Sequence, residues 1–305
     1  MANSLGTLTS NLVSSIMLEA TLARLAPLRA ITTDFSGEAL DYGQAIKVRT
    51  ATPATVADYS TTNGYVATDA TTTDYTVTLN KHKHVTLAFN DQEFSGTKRG
   101  LIEEQVRTSA YNLADAIIDD VLALVVIGTF TNTIIDEDVA NYDRETLLQI
   151  RKGLTNAGAP DMNRSVLCNT TAFLNLTNDT KIISRDYSNP QDIDMTSGVL
   201  YNVAGFKAIY EVPNLPANSN AMVSFGLHPS ALLLATRTPK DPAIGAGGIS
   251  IPGNIETITD PNTGFTLQSR TWYDMKLGSM NQTWTVMYGV AAGVVKHLQI
   301  TKDTP

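Results

Sequence analysis

Five stretches of this chain carry side chains that could do chemistry. His82 and His84 stand two apart in KHKHVTLAF, on one face of an extended segment, and His-x-His is a recurring metal-ligand spacing. Asp136-Glu137-Asp138 and Asp119-Asp120 are carboxylate runs of the kind that hold a divalent cation, although adjacent residues on a helix point apart. GAGG at 245–248 could bring backbone amides to a phosphate, yet it lacks the GxGxxG pattern after a strand and has no following Lys-Ser/Thr. Cys168 lies in an apolar run without a neighbouring His, which suits a buried, inert thiol better than a nucleophile. Gly-x-Ser-x-Gly is absent, and none of the four His falls in a catalytic signature. Each stretch has a plainer reading as solvated charge, loop or core. The sequence therefore makes no case for an enzyme, a cofactor or a metal.

Composition narrows the remaining classes. At 305 residues, 43% hydrophobic and 17% charged, the chain can bury a sizeable core as one large domain or two intimate ones. One cysteine excludes an intramolecular disulfide. A net charge of -8 and a pI near 5.0 argue against tight binding of polyanions, which needs clustered Lys and Arg. The first residues show no basic stretch followed by an apolar core and cleavage site, and LVSSIMLEATLARLAPL is too short and polar to span a bilayer, so a cytosolic product without a membrane is expected.

The elements that must position these groups are organised by one long helix. Over 97–128, Ile102, Val106, Ser109, Leu113, Ile117, Val121 and Leu124 recur at steps of three or four, which predicts an amphipathic rod of about 45 Å with Gly128 as its left-handed cap. Before it, Tyr75 to Phe89 alternate with period two, predicting one strand of about 50 Å, with 44–52 as its antiparallel mate. Between the two, a Thr-rich acidic segment with no Lys or Arg and a turn at Asn63-Gly64 forms the tip of a projecting hairpin. Lys81 and Lys83 interrupt the apolar face of that strand. The segment 1–39 is expected to hold a short helix ending near Pro27, packed either in the core or on a neighbouring subunit. After the long helix come a helix over 141–161 closed by Gly158 and Pro160, a strand at RSVLCN and a helix at TTAFLNLTN. A polar loop over 178–198 with Asn189-Pro190 follows, then strands, a Pro/Gly-rich loop and a C-terminal hairpin with a last strand. The class is α+β.

This order of parts resembles the major capsid (coat) protein of tailed bacteriophages with the Hong Kong 97-type fold. FNDQEFSGTKRGLIEEQVRTSAYNLADAIIDDVLAL looks like the passage from that family's extended loop into its spine helix. GVLYNVAGFKAIYEVPNLP and GLHPSALLLATRTP look like passages of its central lobe. The resemblance implies an N-terminal arm at 1–39, an extended loop at 40–93, a peripheral domain from 94–129 with 266–305, and an axial domain at 130–265. It implies self-assembly into hexamers and pentamers of an icosahedral virion shell around double-stranded DNA, built in a host bacterial cytoplasm. The partners implied are a portal, a separate scaffolding protein, because neither the family's N-terminal scaffolding segment nor its inserted domain is seen here, and optionally a decoration protein. In this family the extended loop lies over a neighbouring subunit close to its spine helix, which nominates Glu103 and Glu104 as partners for Lys81 and Lys83; the alternative is that both lysines are solvated guards against edge aggregation. An acidic container that must fill and empty should hold its DNA weakly. The alternatives are an encapsulin-like compartment shell and, from another class, a monomeric β-rich binding protein or an unrecognised hydrolase.

Overall fold

The computed structural model describes residues 5–51, 56–62, 64, 65, 67, 72–90, 99–183, 199–213, 215, 221–240 and 253–304. Asn63, most of the hairpin tip, the polar loop with Asn189-Pro190, and GAGG at 245–248 lie outside the described residues.

Helix α1, Leu5–Arg24, runs into a 3-10 turn, Ala26–Ala30, where Pro27 ends the α-type bonding. Strands β1 (Thr32–Leu40), β2 (Ala45–Ala51), β3 (Thr72–Thr78) and β4 (Lys81–Asn90) follow. The long helix, α2, spans Arg99–Leu122, about 36 Å at ~1.5 Å per residue, shorter than the stripe suggested. It ends without glycine: the amides of Leu124 and Val125 turn to the carbonyls of Val121 and Leu122, tightening the last turn, and Gly128 is not left-handed. Helix α3, Arg144–Asn156, opens on Asp143, whose carboxylate accepts from Glu145 N–H and Thr146 N–H, and closes at Gly158 with φ +77°.

Two sheets of six strands form the body. The first has the order β1-β10-β13-β12-β11, with β4 also on β13; the added strands are β10 (Leu232–Pro239), β11 (Asn254–Thr259), β12 (Thr266–Asp274) and β13 (Ser279–Ala292). The second has the order β5-β14-β9-β6-β8-β7, from β5 (Ile135–Asp136), β6 (Ser165–Cys168), β7 (Val199–Val203), β8 (Phe206–Glu211), β9 (Met222–Leu227) and β14 (Leu298–Lys302). Helix α4, Thr170–Asn178, starts on Asn169. Sheet membership cuts across the boundaries drawn from sequence. Residues 81–90, 232–239 and 254–259 join the sheet of the C-terminal hairpin, while 298–302 join the other.

Helices α1 and α2 lie side by side on one face of the first sheet, burying Met17, Val106, Ala110, Ile117, Phe265, Trp284 and Val286 in one cluster. That cluster continues onto Leu167, Phe225 and Ile300 of the second sheet, whose other face is covered by α3 through Leu147, Ile150 and Leu154. With both faces covered, β6 and β9 are buried at every residue. From Val13 to Ile31 the N-terminal segment is thus part of the core. Ser14 on α1 accepts from Trp284 Nε1 at 3.2 Å and Gln282 Nε2 at 3.1 Å, satisfying donors buried under the helix. Cys168 is buried, and burial pushes its thiol well above the ordinary range, as expected of an inert core residue.

The uninterrupted 15-residue strand is not observed. The chain breaks at Leu79-Asn80, and its two halves serve opposite faces of the first sheet. Val77 and Leu79 are buried with Leu233, Ala235 and Met287. Val85 and Leu87 pack on the main cluster under α2, on the face of Val286 and Trp284. Only β3 pairs with β2, in the register Ala45↔Thr78 to Ala51↔Thr72; β4 pairs with β13 from Lys81↔Tyr288 to Asn90↔Ser279. Among the described residues, no helix is long and apolar enough to cross a membrane.

Candidate subunit interface

The β2–β3 ribbon has apolar packing only near its root, where Ile46, Val48 and Tyr75 lie half-buried against Val77 and Leu79. Of its seven-residue strand β3, only Val77 is buried, and the Arg49–Asp74 pair at 3.1 Å is an exposed ladder contact. Beyond it, Tyr59 and Tyr65 stack obliquely with ring centres 4.9 Å apart, while Val56 is 95% and Tyr65 93% exposed. A two-stranded ribbon of this kind is marginal alone in water. Its root is anchored firmly: Gly43 N–H donates to Leu79 O at 2.7 Å, and Leu79 N–H to Gln44 O at 3.0 Å. The anchor depends on Gly289 of β13, because a Cβ there would stand 2.2 Å from Thr78 O.

Just past the root, Lys81 and Lys83 turn toward α2 of their own subunit. Lys81 Nζ lies 2.7 Å from Asp120 Oδ1 and Lys83 Nζ 3.5 Å from Asp120 Oδ2, and Tyr288 OH donates to the same carboxylate. Burial pushes the Asp120 carboxyl up, but hydrogen bonds from Lys81 and Tyr288 and the charges of both lysines outweigh it, leaving it below the ordinary value. Burial and the adjacent carboxylate push the Tyr288 phenol up. The neighbouring Asp119 points outward and is raised by partial burial and by Asp115 and Asp120.

Glu103 and Glu104 sit at the other end of α2, about 25 Å along the axis from Asp120 at ~1.5 Å per residue. Within one subunit the structure brings the two lysines together and leaves the two glutamates apart from them. Asp120 was legible in principle. It lies three residues from Ile117 and seven from Leu113, so it is an acidic break in an apolar helix stripe, matching the basic break in an apolar strand face. Two opposite interruptions of this sort signal an internal ion pair. As a bare Asp-Asp pair, Asp119-Asp120 resembles solvated charge, which conceals the ion pair.

The other candidate groups have structural roles. His84 stands on the exposed face of β4, and His82 Nε2 lies 2.5 Å from Thr285 Oγ1. Partial burial, Arg270 and His84 lower the His82 pKa. Asp138 caps a short turn through Ala140 N–H. Among the described residues, no three His, Cys, Asp or Glu side chains converge on a metal-sized site. A cavity of about 200 Å³ between α1, α2 and β8 is lined by Arg24, Asp115, Asp119 and Glu211, with Arg24 bound to Asp115 at 2.7 Å. A second exposed apolar patch, unnoticed in the sequence, is the β12–β13 turn. There Met275 is 91% exposed beside Leu277 and Tyr273, while Asp274 folds the turn by accepting from Lys276 N–H and Leu277 N–H. Two projecting, partly apolar hairpins suit contact with other protein chains.

No protein-family model matches the chain, and no curated protein matches it in sequence. Solved structures do. The capsid of cyanophage P-SCSP1u aligns with a TM-score of 0.59 at 12% identity, covering 90% of this chain and 86% of that one. The mature capsid of bacteriophage PhiM1 aligns at 0.56 and 13%, covering 91% and 86%. A virus-like particle from Pyrococcus furiosus aligns at 0.51 and 10%, covering 94% and 96%. The chain has the Hong Kong 97-type fold of phage capsid subunits, in mixed α+β form.

Proposed function

We propose that this chain is the major capsid subunit of a tailed bacteriophage, assembling with copies of itself into the icosahedral shell that encloses the double-stranded DNA genome. The observation that carries the reading is the β2–β3 ribbon, rooted on the first sheet through Val77 and Leu79 but carrying exposed Val56, Tyr59 and Tyr65 beyond its strands, in a fold shared over nine-tenths of its length with a phage capsid structure. The exposed apolar side chains beyond its root gain burial against another subunit. The role is structural, not enzymatic, and its place is the virion after assembly in the host cytoplasm. The division into arm (1–39), extended loop (40–93), peripheral (94–129, 266–305) and axial (130–265) parts belongs to the proposal, with sheet membership favouring transfer of 81–90, 232–239 and 254–259 to the peripheral part and 298–302 to the axial part. A scaffolding protein, a portal and a decoration protein are the partners the reading requires or admits.

The test is expression of the full chain, alone and with its neighbouring genes, followed by negative-stain microscopy. Closed shells support the proposal, and a protein that stays monomeric at high concentration in light scattering overturns it. An encapsulin-like compartment is the second reading, favoured by the likeness to the Pyrococcus particle; cargo-enzyme genes beside the coding sequence, in place of portal and terminase genes, would select it. A contact between Lys81 and Lys83 and the Glu103 and Glu104 of a neighbour is proposed within the shell, in competition with Asp120. If it forms, charge reversal of both lysines is rescued by Glu103→Lys with Glu104→Lys. Rescue by Asp120→Lys alone would assign the lysines to the subunit interior.

A further inference from the structure

Two chain connections join the sheets side by side, and both carry histidine. The first leaves β9 of the second sheet at His228, makes a 3-10 turn at Pro229–Ala231 and enters β10 of the first. The second leaves β13 of the first sheet at Gly293, turns at Val295–His297 and enters β14 of the second. The backbones are tied by His228 N–H to His297 O at 3.0 Å, Gly293 N–H to Ala231 O at 2.9 Å and Val294 N–H to Ser230 O at 2.9 Å. Gly293 is required for this approach, since a Cβ there would stand 2.2 Å from Ser230 O.

The side chains close a second layer over these bonds. Ser230 Oγ lies 2.8 Å from His228 Nδ1 and 2.7 Å from His297 Nδ1, and the two rings meet edge to face at 5.6 Å. Ser230 N–H donates to His228 Nδ1 at 3.3 Å, which assigns that nitrogen as the acceptor. The order of donation follows: His297 Nδ1–H to Ser230 Oγ, and Ser230 Oγ–H to His228 Nδ1. A proton taken up by His228 must land on Nδ1, where it would face two donors, the Ser230 hydroxyl and the Ser230 amide. A proton on His297 goes to Nε2 and leaves the chain of bonds intact. Only His228 is placed to break it.

From this geometry we infer that His228, Ser230 and His297 form a pH-sensitive latch, closed while His228 is neutral, that ties together the two connections between the sheets and loosens them on mild acidification. The latch rests on the geometry of one subunit and stands apart from the capsid reading. Its surroundings favour the neutral ring. The groups bearing on His228 are its own partial burial, His297 on the facing connection and Arg164 from the loop before β6, and all lower its pKa. Burial and Arg164 do the same to His297. Among the described residues no carboxylate acts on either ring, and Lys296 beside His297 is exposed. Because the closed-state pKa is depressed, the latch is fully held above the ordinary histidine value of 6.5 and weakens as pH falls below it.

Hydrogen–deuterium exchange on the purified full chain, corrected for intrinsic rates, reads the latch directly. Between about pH 7.5 and about pH 5, exchange in peptides covering 226–234 and 290–299 should rise on the order of tenfold, the scale of one lost net hydrogen bond, while β6 and β12 stay protected. His228→Asn keeps an acceptor near the Nδ1 position but cannot titrate, so both peptides should stay at the neutral-pH rate throughout. Ser230→Ala should be raised already at neutral pH and show a smaller step, because only the Ser230 amide still faces a proton on His228 Nδ1. No step in the wild type, or an unchanged step in His228→Asn, overturns the latch. Should His228→Asn fail to fold, a step of undiminished size in Ser230→Ala overturns it equally. Failure to form shells in the microscope overturns the proposed function and leaves the exchange result standing.

Discussion

Replacing Gly289 by alanine perturbs one joint, the root of the ribbon. In β13 this residue pairs with Ala235 while the end of β3 crosses over it, and a Cβ would meet Thr78 O at 2.2 Å, Thr78 C at 2.7 Å and Val77 Cγ1 at 3.1 Å. The first two obstacles are backbone and cannot rotate away. A carbon normally stands no closer than about 3.3 Å to a carbonyl oxygen, so the root must move by about 1 Å. Overpacking of this kind costs ~1–3 kcal/mol. Full detachment would expose Val77 and Leu79 at ~1.5–3 kcal/mol each, so a shifted root is the cheaper response. With an unfolding entropy of about 2.1 cal/mol/K per residue, a 305-residue chain should lose about 2–5 °C in Tm. Calorimetry measures that loss, hydrogen exchange should rise at 72–79 alone, and microscopy should show shells that are absent or malformed. Gly128→Ala is the control, because nothing lies within 4 Å of its Cβ position. If Gly289→Ala melts within about a degree of wild type and assembles normally, the ribbon root is not packed as described.

Three further outcomes follow from the same packing. Joining Ala51 to Thr72 through an Asn-Gly turn in place of 52–71 keeps the observed ribbon register, and should leave a folded subunit that forms no shells by microscopy. Ile117→Ala, at a fully buried position under the first sheet, should cost ~2–5 kcal/mol and show as insolubility or a lowered denaturation midpoint. Asp120→Asn should cost about 1 kcal/mol near neutral pH, through the part-buried Lys81 contact. Because Asp120 titrates below its unfolded value of 3.8, the wild type holds this advantage above that value and loses it as pH falls through the depressed pKa, so the two melting curves should converge in acid.

What the sequence determined by itself was the set of local elements. The apolar stripe of α2, the Gly158 end of α3, the β2–β3 pairing and the C-terminal hairpin were all legible, because period, capping chemistry and turn chemistry act between residues close in the chain. The order of those elements also carried the likeness to the capsid fold. Tertiary structure alone decided where each face went. Alternation from Tyr75 to Phe89 runs unbroken in the sequence, yet Leu79-Asn80 divides it between opposite faces of one sheet, since side-chain period records which residues share a face and not which sheet they will meet. The end of α2 at Leu122 was hidden for a similar reason: burial continues through Val125, so the apolar pattern outlasts the helix. Lys81 and Lys83 advertised a missing carboxylate but could not say whose, and Asp120 answers from some forty residues away. The His228–Ser230–His297 contact joins residues 67 apart, and nothing local hints at it. Such pairings cost loop-closure entropy that only the assembled core repays, so they exist as a property of the fold and not of any stretch within it.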